Sequence, residues 1–569
     1  MPMEPYMHNA TSDKMAIMGP RPKGSRLVWL VAFAVLLGLF ARIMTYPLQH
    51  DEQFYIPAAI LFSFDGLYSD FGFSHLPNLP LLLSGVFAIS GSGYYVLIGR
   101  LVIFISWLLA IGALVLVGRR HAQSNLVVAL LVALMIANPA LIDATGMTVT
   151  NNFIATPFAL LGLLAFIEAA RRPTPSRWLA ALAGFLLAVA VGFKANYVIL
   201  LPPLAIAAIL APPHVSMRTR MTYLALPLLV GGLVGAAPTL YFFAHDPAGF
   251  FAHVVRFHRG PQIGYWLANA DPLDPKAIGL VSKVLLAQRS WLSATNLIIL
   301  MALAFYATLG IRQRQLHPWP GAASRWPMLL LIGIVALAAV MSFLPTPAFP
   351  QYFTTPIPFA ILLIAFLHGS LDPDGRRLAR PFLIAALAMT TVIGAPILLL
   401  GAPKIIDVAH WTGVQVHRDS ARIARLASID GRSRTLATLS PVYALEGNLA
   451  VYPALAMGPF VYRATPWIPE GDRQHYRSLT SPATVAKLLE NSPPAAILTG
   501  QEGVLDVPLS AFAVAAHYVP HRIRIGAGGA KGEMILFTRP QRPAALLASD
   551  CVGSGRGREP PEKSGTACR

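Results

Sequence analysis

Charge is scarce in this sequence and cysteine nearly absent. Asp, Glu, Lys and Arg make up 12% of its 569 residues while hydrophobic residues make up 55%; the charged share is roughly half that of a soluble domain. That balance excludes an ordinary water-soluble globular protein. The two cysteines, Cys551 and Cys568, both fall in the tail LASDCVGSGRGREPPEKSGTACR, so the apolar part of the chain holds no thiol nucleophile and no cysteine zinc site. Whether the two pair in an oxidising compartment stays open. The Gly, Pro and charge content of residues 546 to 569 predicts disorder. A net charge of +18 would suit a nucleic-acid partner, but the Lys and Arg residues lie mostly in short loops beside apolar segments, which membrane topology explains better. No nucleic-acid partner is expected.

Long apolar segments recur from residue 27 to residue 400, many near the ~20 residues that a helix needs to cross the hydrocarbon core, and then stop. This divides the chain into a cytoplasmic N-terminal segment (1 to 26), a membrane domain (27 to 400), a further region (401 to 545) long enough to bury a core of its own, and the tail. The first apolar segment follows Arg21, Lys23 and Arg26, is longer than a signal-peptide core, and lacks a small-residue cleavage site; it is expected to stay as a signal anchor.

Basic clusters stand at Lys14 to Arg26, Arg119 and Arg120, Arg171 to Arg177, Arg218 and Arg220, Arg312 to Arg325, and Arg376 to Arg380, whereas residues 47 to 99, 141 to 150 and 345 to 351 carry no Lys or Arg. Cytoplasmic loops are the basic ones. All six clusters face the cytoplasm only if the short, proline-containing PNLPLLLSGVFAISG (77 to 91) does not cross but lies as an outer juxtamembrane or re-entrant element. The expected spans are then 27 to 46, 96 to 118, 124 to 140, 151 to 169, 178 to 193, 197 to 211, 222 to 243, 291 to 310, 327 to 344, 352 to 368 and 381 to 400, about eleven in all. Loops 47 to 95, 141 to 150 and 244 to 290 fall outside, as does the C-terminal region. There TLATLS (435 to 440), AAILTG (495 to 500) and EMILFT (533 to 538) read as strands and residues 482 to 491 and 508 to 517 as helices, which predicts a small α/β domain. No glycine-rich nucleotide fingerprint opens those helices.

Asp51 and Glu52 begin the first outer loop within a few residues of the bilayer surface. They are read either as a solvated loop start or as carboxylates held over the aromatic interfacial stretch Gln53 to Phe64 and facing a cavity. Asp143, in NPALIDATGMTVTNN, emerges on the same side, where a helix-capping role is the competing reading. Lys194, in VGFKANYVILLPP, sits between apolar segments at membrane depth, where an ammonium is costly without a phosphate or carboxylate partner. Arg256, His258 and Arg259 in HVVRFHRG are read as a face for lipid headgroups or as phosphate ligands.

These residues resemble the GT-C fold integral membrane glycosyltransferases, which include protein mannosyltransferases and the aminoarabinose transferases that modify lipid A. The resemblance rests on HDEQFY after the first span, GLYSDF at 66 to 71, PNLPLL before the second span, Asp143 in the second outer loop, the GFKANY lysine and QYFTTPIPFA at 351 to 360, and it covers most of residues 27 to 400. It implies a polytopic, mostly α protein of a bacterial inner membrane, with the C-terminal domain periplasmic. It further implies an inverting transfer, at the extracytoplasmic face, of a hexosyl or pentosyl group from a polyprenyl-phosphate donor to a lipid, glycan or protein acceptor. Asp51 is then the general base, with Glu52 and Asp143 orienting the acceptor. Lys194, Arg256, His258 and Arg259 become ligands of the donor phosphate, and Tyr55 and Tyr352 contact substrate. Members differ in metal need; a divalent cation such as Mg or Mn would sit on Asp51 and Asp143. Many relatives carry a lysine before the proline pair of the first loop, where this chain reads SHLPNLP, and His75 is expected in its place. The competing class is a multi-span transporter or lipid flippase, which internal repeats and paired broken helices would mark; no convincing repeat relates the two halves.

Overall fold

The computed structural model describes residues 24–212, 215–269, 277–316, 322–427, 434–526 and 532–540. Cys551, Cys568 and the tail expected to be disordered lie outside the described residues, as does nearly all of the N-terminal segment. What is described is mostly helix, with one small sheet near the C-terminus.

Helix α1 (Gly24–Thr45) leads through a short turn into α2 (Glu52–Ile60), followed by α3 (Asn78–Ser90), α4 (Tyr95–Val117) and α5 (Asn125–Ile136). The 23 residues of α4, at ~1.5 Å each, reach across a ~30 Å core. One side of this helix buries Ile103, Trp107, Ala110 and Leu114, and the other exposes Leu101, Ile105, Leu108 and Leu116. Apolar exposure on that scale suits lipid rather than water. Helices Arg177–Phe193 and Leu226–Gly235 approach backbone to backbone: a β-carbon at Gly184 would collide with the Leu228 carbonyl oxygen, and one at Gly231 with that of Ala181. Small residues allow such contact between helices in lipid.

A helix covers each segment expected to span, but not each is a full span by itself. Among the described residues, five helices are long and apolar enough to cross, or up to seven if two bent pairs each count as one. The first pair, Asn125–Ile136 with Pro139–Gly146, bends by 47°; the second, Met217–Gly235 with Ala237–His245, bends by 61°. Pro139 and Pro238 lie at these breaks, where the missing N–H interrupts the helical ladder. The segment 77 to 91 is α3, only 13 residues long. Its first residue, Asn78, donates to the Val189 carbonyl of helix Arg177–Phe193, and Gly93, just past its end, meets His417 of the C-terminal region.

The sheet comprises β1 (Thr435–Thr438), β2 (Ala450–Val451), β3 (Ala496–Thr499), β4 (Val519–Arg524) and β5 (Glu533–Thr538) in the order β2-β1-β3-β5-β4, with β1, β2 and β3 parallel and β5 antiparallel to both its neighbours. Alternation puts successive side chains on opposite faces. Leu436, Leu498 and Leu536 join the main core, which continues into the membrane helices, while Ala437, Ile497 and Phe537 close a second core under helix Val507–Ala515. One face of the sheet thus closes over a small core of its own, and the other joins the core of the membrane helices. The latter is tied to the segment from the end of α1 to the start of α4: the Val442 N–H donates to the Gln53 side chain at 3.0 Å, the Val96 N–H to Glu446 at 2.7 Å, and the Thr412 hydroxyl to the Tyr46 carbonyl at 2.7 Å.

Candidate functional site

Residue 51 occupies the cap position of α2, where an aspartate usually accepts a backbone N–H of the first turn. Here it makes no such bond. The carboxylate instead lines a cavity of about 820 Å³ between the segment that follows α1, the ends of several helices and the C-terminal region. Burial raises the Asp51 pKa above the usual aspartate value, against the opposing pull of His50, Lys194 and Arg463.

Across the cavity stands Lys194. Helix Arg177–Phe193 ends there because Lys194 adopts an extended conformation before the chain re-enters a helical turn. Its ammonium donates to Asn152 Oδ1 at 2.5 Å and lies 5.4 Å from the Tyr352 ring centre. Burial lowers its pKa from 10.5 to about 8, an effect that Asp51 partly offsets.

His75 and His258 form a third wall, their rings 4.9 Å apart, with His258 Nε2 donating to the Ser74 carbonyl at 2.6 Å. Burial depresses both histidines, His75 well below its ordinary value with help from His258 and Lys194, so these rings act as neutral hydrogen-bonding groups near neutral pH. Tyr55 packs its ring 5.5 Å from His75, and burial pushes its phenol well above the ordinary value, which keeps the hydroxyl a donor. Arg259 and Tyr352 also line the cavity.

Three expected site residues lie elsewhere. Glu52 is fully buried and its carboxylate saturated: Arg100 binds both oxygens, Nε to Oε1 at 3.0 Å and Nη2 to Oε2 at 2.9 Å, and the N–H groups of Gln49 and Val149 complete the set. No lone pair is left to orient an acceptor. Asp143 is half exposed, lies 3.6 Å from Arg42, and does not line the cavity. Arg256 points away, locked to Asp472 by contacts of 2.8 and 3.1 Å.

The expected metal set loses Asp143 in the same way. Among the described residues no group of three His, Cys, Asp or Glu side chains could hold a metal ion. The one carboxylate in the lining, Asp51, shares the cavity with Lys194, Arg259 and Arg463; a lone acid among three cations repels a dication, so these residues do not fit one.

Sequence reasoning missed Arg463, Phe460, Asn152 and Trp266. Phe460 and Arg463 belong to the helix Pro459–Ala464 of the C-terminal region. Their contribution to a cavity shared with Asp51 depends on how the sheet docks on α2, which no local pattern encodes. Asn152 stands at the head of the expected span 151 to 169, where nothing marked it out, yet it is the direct partner of Lys194.

Residues 74–242 match the family described as dolichyl-phosphate-mannose-protein mannosyltransferase. Among curated proteins, none matches this chain. Among solved structures, ArnT from Cupriavidus metallidurans bound to undecaprenyl phosphate superposes with a TM-score of 0.56 at 15% identity, covering 91% of this chain and 100% of that one. The oligosaccharyltransferase of Archaeoglobus fulgidus, solved with zinc and sulfate, gives a TM-score of 0.42 at 13% identity over 74% of this chain and 62% of that one, too low to bear on the fold. The chain shares the fold of ArnT, the GT-C fold expected from HDEQFY, GLYSDF and GFKANY, and its residues 74–242 are similar to the mannosyltransferase family.

Proposed function

We propose that this protein is a membrane glycosyltransferase that moves a hexosyl or pentosyl group from a polyprenyl-phosphate donor to an acceptor hydroxyl at the extracytoplasmic face of a bacterial inner membrane. The observation that carries this reading is the uncapped Asp51 carboxylate sharing one cavity with Lys194. In an inverting transfer the acceptor O–H loses its proton to Asp51 as its oxygen bonds to the anomeric carbon. The bond from that carbon to the phosphate oxygen breaks on the opposite face, and its electron pair leaves with the phosphate. Burial suits Asp51 to take the proton, because a raised pKa makes its carboxylate a stronger base. Lys194, still mostly protonated at neutral pH, is suited to meet the charge that grows on the leaving phosphate. The neutral Tyr55, His75 and His258 are polar groups for the sugar, and Tyr352 flanks Lys194. Undecaprenyl phosphate bound to ArnT and the dolichyl-phosphate-mannose family match support a polyprenyl-phosphate donor.

The test is sugar transfer from a polyprenyl-phosphate sugar by the full chain in proteoliposomes. Asp51→Asn is isosteric and retains the cavity, and it is expected to cut the rate by about 10²- to 10⁴-fold, the usual contribution of a positioned base. Wild-type transfer by a folded Asp51→Asn protein would overturn the mechanism.

A further inference from the structure

Arg463 is 8% exposed and lines the cavity. Its guanidinium lies over three aromatic rings, 4.6 Å from the Trp266 centre, 5.0 Å from Phe460 and 5.2 Å from Tyr265. Ring faces attract the cation but do not accept its in-plane N–H groups as an oxygen would. Among the described residues no acceptor hydrogen-bonds to Arg463 and no carboxylate pairs with it. The acids that act on it, Glu502 and Asp51, do so without bonding, and Glu502 is instead 3.2 Å from His50.

Arg100 shows what a buried arginine needs for purely structural service. Fully buried, it donates to both oxygens of Glu52 and to the carbonyls of Ile43, Tyr46 and Pro47. Arg463 has no counterpart to any of these. A buried guanidinium without acceptors is strongly unfavourable, and its planar fork matches the oxygens of a phosphate or carboxylate better than it matches any neutral group. The charge balance points the same way. Lys194, Arg259 and Arg463 face the cavity against Asp51 alone, so one phosphodiester would leave a positive charge uncompensated.

We infer that Arg463 is an anion-binding residue through which the C-terminal region completes the substrate cavity, taking phosphate-type oxygens from the donor or from an anionic acceptor. The inference deepens the transferase reading but does not require that Asp51 be the base. The aromatic stack fixes the guanidinium plane, and the helix Pro459–Ala464 carries it to the wall of the cavity.

Binding is measured without turnover, on the full chain in lipid nanodiscs, with two probes. One is undecaprenyl phosphate; the other is inorganic phosphate added with undecaprenyl phosphate saturating. Arg463→Gln is expected to weaken one of them by about tenfold or more, the effect of losing a charge-assisted hydrogen bond, with Arg463→Lys falling between. Weakening of the lipid probe assigns the group to the donor, and weakening of inorganic phosphate alone assigns it to the acceptor. Unchanged affinity for both probes, with or without a lower melting temperature, would reduce Arg463 to packing and overturn the inference. If the glutamine variant does not fold, the lysine variant decides by the same readout. Wild-type binding of inorganic phosphate through Arg463 without any binding of undecaprenyl phosphate would sink the donor reading and leave this one standing.

Discussion

Asp51 and Glu52 are neighbours in the chain at the start of one short helix, yet their surroundings are opposite. Consecutive helical residues point about 100° apart, so the first faces a cavity and the second the packed junction of α1, α2 and α4. Glu52 has every oxygen engaged by Arg100 and two backbone N–H groups. Asp51 lacks even the capping bond its position offers. The same contrast separates Arg100, fully partnered, from Arg463, also buried but without a hydrogen-bond acceptor among the described residues. Under the proposed mechanism, burial alone does not tell structural from chemical ionisable groups in this protein. Saturation of the hydrogen-bonding capacity does.

The comparison breaks most readily at the saturated pair. Arg100→Met leaves Glu52 as a buried carboxylate facing vacated space and is expected to cost about 3–5 kcal/mol, the usual penalty for removing one partner of a buried pair. Thermal unfolding in detergent, read beside transfer activity, checks it. Replacing both partners, with Glu52→Leu added, should recover only part of the loss, because the N–H groups of Gln49 and Val149 then lose their acceptor. An Arg100→Met protein of wild-type stability that no longer transfers sugar would move Glu52 back into the chemistry.

Lys194 sharpens the other side. Its pKa near 8, lowered from 10.5 by burial, means that the ammonium is charged below about pH 8 and loses its charge as pH rises through that value. The kcat/KM for a polyprenyl-phosphate sugar should therefore fall above pH 8, by about tenfold per unit. On the acid side it should fall as Asp51 protonates, at a pH above that of an ordinary aspartate because burial raises its pKa. In Lys194→Arg the guanidinium does not deprotonate in this range, so the alkaline limb should move up by more than a unit while the acid limb stays. A limb that remains at pH 8 in that variant would belong to another group.

Lys194 and Asp51 were legible in the sequence for a physical reason: an ionisable residue set among apolar ones at a membrane boundary is costly, and its cost shows locally. Helices were legible because apolar length is also local. The partners were not. Glu52 reads the same as Asp51 until Arg100, 48 positions later, turns toward it, and Arg463 reads as one basic residue in GPFVYRATPW until the sheet docks on the first loop. The strands show the same limit: β1, β3 and β5 fall in apolar runs that stood out, whereas β2 is two residues long and β4, VPHRIR, exposes most of its residues and so lacks a clear apolar pattern.

Asp143 supplies the smallest expected effect and the cleanest control. Its carboxylate is 55% exposed and reaches one oxygen to Arg42 across 3.6 Å. A surface ion pair of this kind contributes about 0–1 kcal/mol. In Asp143→Asn, Arg42 retains the Tyr46 ring, 4.7 Å from its guanidinium, and the Tyr46 hydroxyl still donates to the backbone carbonyl of residue 143. The turn that carries the side chain is held by the Trp107 indole N–H bonded to the Gly146 carbonyl at 2.7 Å, a contact the substitution does not touch. Transfer should stay within about twofold of wild type, with a melting shift no larger than a surface pair allows. Asp143 shares with Asp51 its charge, its expected side of the membrane and its place in a loop without basic residues, so a loss comparable to that of Asp51→Asn would mean that sidedness, not cavity lining, selects the acids of this site.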